Sequence, residues 1–231
     1  AAVLDGVYPL QVNGEQNEPE IIGRVFARLY ADCAADPVCR ELHPNLRADI
    51  EGSIAAAERV PLEMTLQLEE GPQSVRLDGA KLLTVLLNMM REGDGALIPA
   101  TIAASRRGDL RPLRMFAEDL ESNDGGIVDA NAQQFDGLYN SIECRETWAA
   151  VDLAARQRAI RNSGVYGLGA RFSKSQIFCA VWRVPAAPAD ERQPVKSAIP
   201  TLLLSGGYDW LTPPAWGVEA ARHLSQSRHV V

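Results

Sequence analysis

The chain has 231 residues, 46% of them hydrophobic and 23% charged, with a formal net charge of −7. That balance excludes a disordered chain, and the negative charge, with no segment that gathers Lys or Arg, argues against nucleic acid or anionic lipid as partners. No apolar run reaches the ~20 residues of a membrane helix, the longest being Leu82–Leu87 between Lys81 and Asn88, so no membrane span is expected.

The opening run AAVLDGVYP reads as a buried strand, Ala1–Leu4, that turns at Asp5–Gly6. It has neither a basic leader nor an extended apolar stretch and is no signal peptide; a start inside a strand predicts that sequence is missing upstream. From Pro19 to Arg59 the apolar residues Ile22, Phe26, Leu29 and Tyr30 recur at helical spacing. Pro19 suits a first helical turn, Asp36–Pro37 starts a second helix, and Pro61 ends the region. Leu62–Leu68 alternates apolar and polar, EEGPQ is turn-like and Ser74–Leu77 is extended, which predicts a hairpin. Asp78 then caps a strong helix that Gly93 stops, with two further helices around Leu97–Arg107 and Arg111–Glu121.

SNDGGIVDANAQQ reads as a polar loop leading into FDGLYNSIECRETW, and Ala149–Asn162 and Ser173–Trp182 are helical. VPAAPADERQPVKSA is a linker by composition. After it, Ile199–Ser205 (IPTLLLS) is a continuous apolar run ending at Gly206–Gly207, the pattern of a parallel strand covered on both faces. Pro213–Pro214 opens a helix and Arg228–Val231 begins another strand, a β–loop–α–β order that signals an α/β fold.

Cys33, Cys39, Cys144 and Cys179 lack C-x-x-C spacing, and none lies at ligand spacing from a histidine, so no metal is expected. Two disulfides fit better, Cys33/Cys39 as a local staple and Cys144/Cys179 across a longer loop, in an oxidising compartment; four buried thiols are the alternative.

Asp209 follows the end of the Ile199–Ser205 strand, where open α/β sheets present functional groups. A carboxylate there can fix the tautomer of a histidine and stabilise its imidazolium; an ordinary turn or helix cap is the competing use. The run IPTLLLSGGYDWLTPPAWG resembles the C-terminal segment of α/β-hydrolases of the tripeptidyl-aminopeptidase and prolyl-iminopeptidase type, where the strand, G-x-x-D and T-P-P carry the triad acid. AAVLDGVYP resembles the strand after the nucleophile helix, and GLYNSIECRE with CAVW the paired-cysteine motifs of the cap. The resemblance places the triad acid on Asp209 and implies a parallel core with a helical cap.

It also implies a G-x-S-x-G elbow, which the sequence does not contain: Ser53, Ser163 and Ser205 lack the flanking glycines. The elbow is expected before Ala1 and the triad histidine after Val231, so the remaining hydrolase core is expected outside the chain, and the chain alone is expected to be inert. His223 reads as a helix-surface residue, His229 as the start of a strand, and His43 as a cap residue without a catalytic partner. Glu143 and Glu146, flanking Cys144, are the candidates for holding a peptide's α-ammonium group; solvation, or a pair with Arg145 or Arg183, is the competing use. Trp148, Trp182 and Trp210 read as packing residues.

The reading is thus of an α/β-hydrolase fragment, residues 1–7 and 196–231 being core elements and 8–195 a mostly helical cap or lid. The expected function is that of a secreted or periplasmic serine hydrolase, an exopeptidase acting on short peptides without a cofactor. A carboxylesterase of the same fold, taking an ester substrate, and a non-catalytic helical binding module are the alternatives.

Overall fold

The computed structural model describes residues 1–124, 137–171, 173 and 175–231. They fall into two compact units, one of Ala1–Val25, Phe135–Asn162 and Ser173–Val231, the other of Phe26–Gln134 and Ser163–Phe172. Among the described residues no helix is long and apolar enough to cross a membrane.

The first unit holds a parallel sheet of β1 (Ala2–Asp5), β4 (Thr201–Leu204) and β5 (Ser227–Val230), in the order β1-β4-β5. Ala2 stands opposite Thr201, and Thr201 opposite Ser227. The central strand is covered best, with Leu203 fully buried. β1 is less buried than a core strand should be: it is an edge strand of this sheet, and its Val3 is 65% exposed. β4 is likewise shorter than its apolar run, because Pro200 has no N–H to give a sheet partner and Ile199 is exposed. Helix α10 (Pro214–Ala221) links β4 to β5, completing a βαβ unit.

Helix α1 (Gly14–Ala35) begins before the proline expected to open it, and Pro19 lies inside. The helix tolerates it for a reason in the tertiary structure. Pro19 has no N–H to donate to the Glu15 carbonyl one turn back, and that carbonyl accepts from Arg156 Nε instead, at 3.2 Å. Asn13 caps the true start, its Oδ1 accepting from Gln16 N at 3.0 Å.

In the second unit the segment after Asp36 is two helices rather than one, α2 (Pro37–Leu42) and α3 (Leu46–Arg59). His43 precedes Pro44 and so leaves the helical region of backbone space, which breaks the run. β2 (Leu62–Leu68) and β3 (Gly71–Leu77) pair antiparallel along their whole length, a longer hairpin than Ser74–Leu77 alone. α4 (Gly79–Arg91) forms as its cap signal predicts, Asp78 Oδ1 accepting from Lys81 N at 2.9 Å. Its Leu82, Leu83, Val85, Leu86, Leu87 and Met89 are the centre of this unit's core. α5 (Ile98–Arg106) and α6 (Arg111–Asp124) follow; the loop expected at 122–134 lies outside the described residues from 125 on.

Residues 164–171, a 3₁₀ segment, join the second unit through Tyr166. Its ring stacks on Phe26 at 5.1 Å and its hydroxyl lies 2.6 Å from that of Tyr30 and 3.1 Å from Glu51 Oε1.

The first unit also contains α7 (Gly137–Ile142), a single π turn over Glu143–Thr147, α8 (Leu153–Asn162) and α9 (Ser175–Val181). Asp152 Oδ1 caps α8 by accepting from Ala154 N and Ala155 N. Cys144–Cys179 ties the π turn to α9, and Cys33–Cys39 closes the corner of α1 and α2. The fold is α/β, a parallel sheet accompanied by a helical cap.

Candidate functional site

β4 delivers the chain to the loop 205–213, and that loop holds Asp209 rigidly. Asp209 Oδ1 accepts from Leu211 N and Thr212 N, both at 2.8 Å, and Oδ2 accepts from Thr212 Oγ1 at 2.6 Å. The carboxylate is half-buried, at the C-terminal end of the parallel strands. The turn after β1 buttresses it: Gly6 has φ +59°, and a Cβ there would come within 2.8 Å of Thr212 Oγ1 and 3.9 Å of Asp209 Oδ2. Only glycine suits both the backbone angle and the space.

The next two residues, Trp210 and Leu211, line a cavity of about 130 Å³ with Tyr8, Glu15, Glu18, Tyr139, Glu143 and Trp216 among its walls. Helix geometry brings Glu15 and Glu18 onto one face of α1, three residues apart, and the π turn carries Glu143 to them. Single π turns recur at functional sites because they displace a side chain from the regular helical register. The tilted pair of Tyr8 and Trp216, with centroids 4.4 Å apart, forms an aromatic wall, and the Tyr8 hydroxyl accepts from Gly14 N at 2.8 Å.

Three carboxyl groups in so small a space do not ionise freely. Burial, then the charge of Glu15, pushes Glu18 up to about 8. Burial, again followed by Glu15, pushes Glu143 up to about 7 against a hydrogen bond with Thr147 that favours the anion. Burial and the nearby Glu143 also raise Tyr139 to about 12, and burial raises Tyr8. Glu15 has the best partners: its Oε1 accepts from Ser173 Oγ at 2.6 Å and Ser175 Oγ at 2.8 Å, and its Oε2 lies 3.8 Å from the Arg156 guanidinium. Yet Oε2 of Glu15, Oε2 of Glu18, Oε1 of Glu143 and Nε1 of Trp210 are all shut off from solvent without a hydrogen bond from the protein.

Glu146 goes elsewhere. It lines a polar cleft of about 590 Å³ with Gln11, Asn13, Asn17, Arg192 and Gln193. The two glutamates beside Cys144 thus face different cavities, and Arg145 between them pairs with Glu191 at 2.9 Å.

Among the histidines, His223 Nε2 lies 3.4 Å from Glu219 Oε1, and His43 lines a cavity of about 420 Å³ in the second unit with Arg40 and Arg47. His229 meets Ser205, Nε2 to Oγ, at 2.9 Å, a pair that the sequence does not announce. Both atoms face Gly217 of α10. Trp148 faces the Arg156 guanidinium at 5.7 Å, while Trp182 stacks on Phe178 and donates to Ser141 Oγ at 3.0 Å. Of the three tryptophans only Trp210 lines the acidic cavity.

Of the residues lining this cavity, the sequence singled out Glu143 and Trp210 but gave no weight to Glu15, Glu18 or Tyr8. The available signal was Asn13 as a helix cap, which puts the i, i+3 glutamates in the first turns of a helix five residues ahead of Pro19.

Residues 165–231 match the family of the TAP-like protein, an α/β-hydrolase family. No curated protein matches the chain. The matched stretch contains β4, the Asp209 loop, α10 and β5, and this part of the chain is similar to a TAP-like α/β-hydrolase.

Proposed function

We propose that the chain belongs to a secreted serine exopeptidase that removes short peptides from the N-terminus of its substrate. In this reading Asp209 is the triad acid. It holds a histidine in one tautomer and stabilises the imidazolium that forms as a serine attacks the scissile carbonyl; water then releases the acyl group. The serine and histidine are contributed from outside residues 1–231, and residues 8–195 are the cap domain.

The observation that supports a peptidase over an esterase is the acidic cavity beside the Asp209 loop, in which Glu143 faces Glu15 and Glu18. A free α-ammonium group supplies the charge that three buried carboxylates call for, whereas a simple ester carries no such group. The two disulfides, Cys33–Cys39 and Cys144–Cys179, support an oxidising compartment.

The test compares chromogenic peptides with free and acetylated N-termini on the enzyme that contains this chain. Loss of at least ~10²-fold in kcat/KM on acetylation is expected, which corresponds to about 2.7 kcal/mol of lost interaction. Equal turnover of both, or faster turnover of fatty-acyl esters, would overturn the reading.

A further inference from the structure

The second unit holds a cavity of about 420 Å³ built from the end of α1, from α2, from the connection at His43 and from the first turns of α3. All of its lining residues precede the matched stretch 165–231. In a chain of net charge −7, its wall brings together two guanidiniums, Arg40 and Arg47, and the His43 imidazole, with a single carboxylate, Glu51. A concavity lined by one sign of charge focuses the field and gathers counter-ions.

Each basic group is held in place, and the carboxylate does not use them up. Cys33–Cys39 clips α1 to α2, and Asp36 Oδ1 accepts from Cys39 N at 2.7 Å. The next residue, Arg40, donates from Nη1 to the Ala34 carbonyl at 2.8 Å, a bond that fixes the guanidinium without neutralising it. Arg47 lies over the Tyr30 ring, its Cζ 5.9 Å from the centroid. It donates to Glu51 Oε1 from Nε alone, at 3.0 Å, so its two Nη groups remain for a ligand. The same Oε1 also accepts from the Tyr166 hydroxyl at 3.1 Å, so Glu51 is shared between two donors. His43 stands between the arginines in the chain, its N–H donating to the Cys39 carbonyl at 2.8 Å; among the described residues its ring has no hydrogen-bonding partner.

We propose that this cavity binds a tetrahedral oxyanion carried on a small organic group, a phosphate or sulfate monoester. Guanidinium forks present paired N–H donors to such oxygens. Donors that arrive from α2, from the connection and from α3 suit an anion whose oxygens point in three directions, and they suit a flat carboxylate less well. The volume exceeds that of the bare ion, and Ala34, Pro44 and Leu46 add an apolar stretch of wall for the organic group. Two guanidiniums are too few to track a polyanion, so the ligand is a small molecule.

Inorganic phosphate, phenyl phosphate, phenyl sulfate and acetate, each titrated into the chain at one pH and one ionic strength, are the probes. Binding is read by calorimetry and by the amide NMR shifts of Arg40, His43 and Arg47. The tighter of the two phenyl esters is expected to bind at least ~10-fold more tightly than acetate, and the order of the two esters tells phosphate from sulfate as the source. Arg40→Gln and Arg47→Gln should each weaken that ester by ~10-fold or more, the scale of one charge-assisted hydrogen bond, with the melting curve unchanged. Arg47→Lys, which keeps the charge and loses the fork, should restore only part of the loss. Three results would each overturn the proposal: no binding of any tetrahedral anion, acetate binding as tightly as the better ester, or unchanged ester affinity in either glutamine variant. The assignment of Asp209 is untouched by all of them.

Discussion

His229 and Ser205 stand 2.9 Å apart, Nε2 to Oγ, and Gly217 is the residue that leaves them room. A Cβ on Gly217 would collide with His229 Nε2 and lie 2.9 Å from Ser205 Oγ. The pair cross-links β5 to the end of β4 on the face that α10 covers.

Gly217→Ala is therefore expected to reverse the usual sign of a helix substitution. In an unconstrained helix interior the change to Ala gains ~0.5–1 kcal/mol; here the overpacked histidine should cost about 1–3 kcal/mol. Urea unfolding of the two chains decides it, and a gain in stability would refute the close approach.

Thr212 acts on Asp209. Removing its hydroxyl in Thr212→Val takes away the 2.6 Å hydrogen bond to Oδ2, which should lower stability by only ~0.5–1.5 kcal/mol. In the complete enzyme Asp209→Asn should reduce kcat by about 10⁴-fold, the amide holding the wrong histidine tautomer. Thr212→Val should fall between these extremes, lowering kcat with KM unchanged. A wild-type kcat in Asp209→Asn would remove Asp209 from the triad.

Glu18 has a sign that follows from its raised pKa. The unfolded chain ionises it near its ordinary value, while the folded chain keeps the proton up to about 8. Folding is penalised wherever the unfolded form has already lost its proton, so the penalty is absent at low pH, grows above the ordinary carboxylate range and is full once the folded group has ionised. Each unit of difference is worth ~1.4 kcal/mol. Glu18→Gln should accordingly leave stability near pH 5 almost unchanged and raise it by a few kcal/mol near pH 8.5. Melting curves of both chains at the two pH values test this; a stabilisation that is the same at both would count against a proton held by Glu18.

The disulfides should differ in weight. Cys144–Cys179 closes 35 residues of sequence and Cys33–Cys39 closes 6. The chain-entropy model gives about 4 kcal/mol for the longer loop and about 2 for the shorter. Paired serine variants, unfolded under the same conditions, should show that order.

Local chemistry was the part of the fold that the sequence made legible. Asp78 and Gly93 bracket α4, alternation marks β2, the apolar run before Gly206 marks β4, and the cysteine positions agree with the two bridges. Asp209 could be placed at the end of a parallel strand before any coordinates, since the run and its flanking glycines are contiguous. Pro19 misled because its effect on α1 is cancelled from outside, by Arg156 Nε at the Glu15 carbonyl, a contact between residues far apart in the chain. Glu15 and Glu18 were hidden for the same reason: their cavity is walled by the segment after β1, α1, the π turn, the Asp209 loop and α10, and no window of sequence holds all five. The π turn itself has no period that distinguishes it from the helix it interrupts.

The pairing of Ala2 with Thr201 has a consequence for how the molecule is made. Closing a loop of such length is entropically unrewarded until both strands are present, and parallel contacts of high sequence separation form slowly. The hairpin of β2 and β3, with Leu68 opposite Gly71, and the helices around α4 need no such wait. On the ribosome they can fold while the partners of β1 are still unmade, so the sheet that carries Asp209 has to wait for Thr201–Leu204. The loop that holds Asp209 is thus fixed in place only after the whole segment between β1 and β4 has been synthesised.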